Sequence, residues 1–170
     1  MAIHVMFNDD HPVVLQAVQE ANQLFNGREL YQHIRRKESF DPRYTNVSPF
    51  IIADLLQNSK LMFNVELFYP SGLISHWKYR KTLGYKDHAF PNTLFLNVKK
   101  LDRPIHEITA TIIHECVHAL DEENQQYSFG HGDNSPKYKG ETAPYWIGNE
   151  AIRILKGNQA HVGIEFDVEE

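Results

Sequence analysis

The segment from Asp102 to Leu120 constrains this chain more than any other, because its pattern demands burial on one side and an opening on another. Asp102-Arg103-Pro104-Ile105-His106-Glu107-Ile108 predicts a helix start, with Asp102 as N-cap and Pro104 in the first turn, where a missing N–H is harmless. Ile105, Ile108, Ile112, Ile113, Val117 and Leu120 then recur at helical spacing and form an apolar surface. Within this helix runs His114-Glu115-Cys116-Val117-His118. Residues four apart stand one turn along and about 40° around the axis, so His114 and His118 share a different stripe and their rings can reach one metal ion. The helix is expected to pack against a core and to turn both imidazoles toward a cleft.

That spacing is the one in which two histidines bind zinc and the intervening glutamate serves as base toward a water at the metal. The expectation is a zinc hydrolase with His114 and His118 as ligands and Glu115 as the catalytic base. Cys116, two residues after His114, falls on the far side of the helix and is expected to be a small buried apolar group.

A catalytic zinc takes three protein ligands and leaves one position open. The candidates for the third are His131, Glu150, Glu141, Asp121 and Asp133. His131 is favoured. It lies in Phe129-Gly130-His131-Gly132-Asp133-Asn134, where glycines let the backbone fold tightly against a neighbour and aim a side chain inward. Its competitor is Glu150, which would complete a two-histidine, one-glutamate site from a helix where Gly148 would allow close helix contact. If His131 is the ligand, Glu150 or Asp133 is a candidate to orient a ligand imidazole. Asp121, three residues after His118, points partly away, and Glu141 has no clear place. Histidines 4, 11, 33, 76, 88, 106 and 161 show no ligand spacing with the motif and are expected to be ordinary polar residues.

Composition sets outer limits. With 170 residues, 42% hydrophobic and 23% charged, and without internal repeats or linker-like tracts, the chain is expected to form one α+β domain over residues 1–170. One cysteine forbids an internal disulfide framework, and neither a basic leader followed by an apolar run nor a membrane-length apolar stretch occurs, so a cytoplasmic protein is expected. The net charge of −5 disfavours nonspecific attraction to nucleic acid. His76-Trp77-Lys78-Tyr79-Arg80-Lys81 through Lys86 interleaves aromatics with cations, a local exception whose plainer interpretation is a solvated basic face.

Around the motif helix the chain divides into further elements. Helices are predicted over His11 to Phe25 with Gly27 closing it, over Arg28 to Lys37, from Ser48-Pro49 to about Ser59, and from Thr142-Ala143-Pro144 to Leu155. Strands are predicted over Leu61 to Tyr69 and Thr93 to Val98, with weaker signals around Trp77 to Leu83 and Val162 to Val168. Asp121 to Pro136 reads as a polar loop.

On these residues the chain resembles the zincins, zinc peptidases with an H-E-x-x-H helix, over roughly Thr93 to Leu155. Leu94-Phe95-Leu96-Asn97, the helix ending His118-Ala119-Leu120, and Gly130-His131-Gly132 are most similar to the SprT/Spartan-like metallopeptidases. Asn149-Glu150-Ala151 is also similar to the glutamate helix of thermolysin-type gluzincins. The resemblance implies a compact zincin-like domain, with a small sheet packed on the active-site helix. It also implies one zinc ion on His114, His118 and His131, Glu115 as base, and a protein or peptide substrate paired along the strand at residues 93–98. Tyr145 and Tyr138 are candidates to stabilise the oxyanion. The rival expectation is a noncatalytic module of the same shape that grips a peptide or nucleic acid, and a peptidase acting as a toxin or effector is a further alternative.

Overall fold

The computed structural model describes residues 3–72, 82–87, 89–131 and 139–157. In chain order these form β1 (His4–Phe7), α1 (Pro12–Asn26), α2 (Glu29–Arg36), α3 (Pro49–Asn58), β2 (Met62–Phe68), β3 (Gly84–Lys86) and β4 (Thr93–Asn97). A 3₁₀ turn (Val98–Lys100), α4 (Ile105–Glu123), a second 3₁₀ turn (Lys139–Glu141) and α5 (Ala143–Leu155) follow. The class is α+β. The four strands lie in the order β1-β2-β4-β3, parallel across β1, β2 and β4, with β3 antiparallel to β4.

Period-two alternation fixes which face of the sheet is covered. Val5, Phe63, Val65, Leu94 and Leu96 enter one buried cluster with Val14, Ala17 and Ala21 of α1 and with Ile108, Ile112, Ile113, Cys116 and Val117 of α4. Burying each large aliphatic of this set stabilises the fold by roughly 1.5–3 kcal/mol. On the opposite face Tyr85 stacks on Phe95 at 5.1 Å between centroids, and Phe68 meets Tyr85 edge-on at 5.2 Å. The side chain of Asn22 in α1 both accepts from the Val5 N–H and donates to the Val5 carbonyl, each at 2.9 Å, so a helix residue satisfies the backbone of β1.

The predicted helices form close to their expected limits. Ser48 caps α3, its Oγ accepting from the Ile51 N–H, and Pro49 takes the first helical position. Gly27 closes α1, its N–H reaching the carbonyls of Gln23 and Leu24. The motif helix starts later than predicted. Pro104, not Asp102, is its N-cap, with extended backbone and a carbonyl that accepts from the Glu107 N–H, so the ring ends the extended approach instead of opening the helix.

Two strands had no strong signal in the sequence. β1 is four residues long, and β3 spans only the three residues Gly84–Lys86. The strand expected to pair with substrate is also corrected: β4 is hydrogen-bonded to β2 on one side and β3 on the other, so neither of its edges is open to a peptide. Thr82 and Leu83 are not in a strand, and the remaining signal at 77–81 and the tail at 162–168 lie outside the described residues. Among the described residues, no helix is long and apolar enough to cross a membrane.

Candidate metal centre

Helix α4 carries the first two ligand candidates. His114 is buried and His118 half-buried, one turn apart on the stripe the spacing predicts, with ring centroids 4.9 Å apart. Cys116 between them is fully buried in the core, where burial and then the neighbouring Glu115 carboxylate push its thiol pKa well above the ordinary value. Glu115 is buried too.

The third imidazole arrives from the segment after α4. Asp121, one turn beyond His118, accepts from the Phe129 N–H at 2.6 Å and also from the Gly130 N–H, tying residues 129–130 to the helix that carries the other two histidines. Burial raises the Asp121 pKa, and these two N–H groups pull it back only in part. Glycine at 130 permits this close approach: a Cβ there would stand 2.5 Å from Asp121 Oδ2 and 3.2 Å from His118 Nδ1, so the Asp121 carboxylate would have to shift. The tight fold expected of Gly130 is therefore present, and the next residue is His131.

His131 is buried, with Nε2 2.9 Å from His118 Nε2 and 3.4 Å from His114 Nε2. One nitrogen from each of the three rings lies within 4.8 Å of the others. Bonds of about 2.0–2.1 Å from a tetrahedral zinc would hold donor nitrogens about 3.3 Å apart, so the spacing suits an ion of that size with three imidazole ligands. Burial, then His131 and the Lys86 cation, hold the His118 pKa well below its ordinary value, which favours neutral imidazole.

No family model, curated protein or solved structure matches this chain.

The competing ligand candidates have other partners. Glu150 is buried, and its carboxylate binds His33 Nδ1 at 2.9 Å and Arg153 Nη1 instead of joining the histidine cluster or orienting one of its rings. His33, expected to be an ordinary polar residue, thus pairs with a buried acid between α2 and α5. Glu141 is exposed, 3.8 Å from Lys37 Nζ. Asp121 acts as the tether described above, a role its spacing from His118 hides. Asp133 and Tyr138 lie outside the described residues.

Two residues named in the sequence for other reasons, Lys86 in the basic run and Tyr145 as an oxyanion candidate, prove to be neighbours of the cluster. Lys86 of β3 forms a 2.6 Å ion pair with Glu122 of α4, which joins the sheet to the metal helix one turn beyond His118. Tyr145 of α5 is buried with its ring against both His114 and His131. From the basic and aromatic run that ends at Lys86, these two described members, Tyr85 and Lys86, contact Phe95 and Glu122, and residues 76–81 lie outside the described residues.

Proposed function

We propose that this protein is a zinc-dependent metallopeptidase of zincin type, hydrolysing peptide bonds in a protein or peptide substrate. The observation that carries the proposal is the convergence of His114, His118 and His131 on one point, with Glu115 next to His114 in the same helix. Three imidazoles are a catalytic zinc donor set, and the fourth position is left for chemistry. A zinc ion there would activate water near neutral pH and polarise the scissile carbonyl. Glu115 accepts the proton from the attacking water and returns it to the leaving amine, which departs neutral. Glu115 is buried, which limits its contact with bulk solvent. The likeness to SprT/Spartan-like metallopeptidases in the Gly-His-Gly segment supports the same assignment.

The test is Glu115→Gln, assayed with metal analysis and a peptide library. The variant should keep zinc at wild-type stoichiometry and lose turnover by about 10²–10⁴-fold, the range for losing a general base. Undiminished turnover would end the proposal. Peptide binding without turnover by the wild-type chain would point instead to a noncatalytic module.

A further inference from the structure

The geometry points to Tyr145 as the positioning residue of the metal centre, a flat buried wall that sets the orientation of His114 and His131 before any ion binds. This inference rests on the metallopeptidase proposal, and concerns the affinity of the same site. Two imidazoles in α4 have their spacing fixed by the helix, but each ring can still turn about its side-chain bonds. His131 lies outside α4, following residues 129–130 that Asp121 ties to that helix. A ring that rotates away costs metal affinity, because lone-pair direction as well as distance decides ligation.

Tyr145 contacts two of these three rings, one on α4 and the one that follows it. It lies nearly parallel to His131, with 20° between planes and 5.0 Å between centroids, and meets His114 at 69° and 4.4 Å. Those are the offset-stacked and edge-to-face arrangements in which aromatic pairs attract beyond simple burial. The tyrosine has little freedom to tilt. Ala110 and Ile152 share its buried cluster, and Leu83 packs against that cluster. Leu83 is in turn held by Asn97, whose N–H donates to the Leu83 carbonyl at 3.0 Å and whose side-chain amide donates to the Thr82 carbonyl at 2.9 Å.

Helix α5, which bears Tyr145, is pressed onto α4 at the same level. A Cβ at Gly148 would stand 3.1 Å from the Ala110 carbonyl oxygen and 3.6 Å from His114 Cβ. Further along α5, Glu150 is anchored to His33 of α2. The ring thus belongs to a rigid support that begins in β4 and α2 and ends on two ligand imidazoles.

Apo-protein carrying Tyr145→Phe and Tyr145→Leu would be titrated with zinc against a chromophoric chelator, and loaded with cobalt(II) for its visible spectrum. The phenylalanine variant keeps the flat face and should bind zinc within about threefold of wild type, with the same cobalt spectrum. Leucine keeps apolar bulk without the face. It should weaken binding by roughly 10–100-fold, the usual cost of removing a group that orients a ligand, and alter the cobalt bands while the apo circular dichroism stays unchanged. If the leucine variant does not fold, Tyr145→Met carries the same expectation. Wild-type affinity and spectrum in a folded leucine or methionine variant would overturn the inference. So would an equal loss in the phenylalanine variant, which would shift the effect to the hydroxyl, or a failure of both aliphatic variants to fold. Absence of zinc binding by the wild-type chain would instead defeat the metallopeptidase proposal itself.

Discussion

Tyr31 illustrates how one buried polar atom makes stability depend on pH. Its hydroxyl donates to the Phe25 carbonyl at 2.5 Å, and burial, only partly offset by Arg35, pushes its pKa from 10.0 up to about 12. The neutral phenol is the form the fold favours. Its contribution is therefore complete below the unfolded value near 10 and is lost as pH rises through 12. Tyr31→Phe should cost about 0.5–1.5 kcal/mol at neutral pH through the lost hydrogen bond. It should also flatten the fall in urea midpoint across the interval from 10 to 12. A variant whose midpoint falls as steeply as wild type would exclude Tyr31 as the cause. Such a role was hidden in the sequence, because the Phe25 carbonyl that accepts from Tyr31 belongs to the preceding helix, α1. Cys116 was legible, because its angle around α4 alone separates it from the two histidines.

Between elements, the packing of α4 on α5 decides the shape of the site. Gly148 sits where the two helices approach, and the atom it faces is a backbone carbonyl in the middle of a helix, which has little room to shift. Alanine there would gain about 1 kcal/mol of helix propensity, set against that close contact. Valine adds two more carbons to the same gap. Gly148→Val should destabilise by about 1–3 kcal/mol in chemical denaturation and weaken zinc binding, since His114 Cβ is among the nearest atoms. Unchanged stability and affinity would show that α5 can move away from α4 without disturbing the centre. The sequence showed a glycine suited to close helix contact at 148, and that is what forms. It could not show that β4 has neighbours on both sides, since β3 is too short to carry a periodic pattern and exists through its pairing with Leu94, Phe95 and Leu96.

For the molecule as a whole, a metal that binds only the folded chain must raise its stability by mass action. At a free zinc concentration of about 100 times the dissociation constant the gain is about 2.7 kcal/mol. For a chain of this size that raises the melting temperature by roughly 5–11 °C. Calorimetry with and without chelator should show that rise in the wild type, and His131→Ala should abolish most of it while leaving the apo melting temperature nearly unchanged. An equal rise in the variant would mean that His131 is not a ligand.

The sequence alone was enough to define the helix bearing His114, Glu115 and His118, the capped α3, and the tight backbone at Gly130 before His131, because helical period, cap chemistry and backbone freedom act between residues close in the chain. Only the tertiary structure decided that His131 meets the other two imidazoles while Glu150 binds His33, and that Tyr145 lies against the cluster. Those contacts join residues far apart in the chain through the Asp121 tether and the α4–α5 interface. Their geometry follows from the packing of the whole core, which no local pattern encodes.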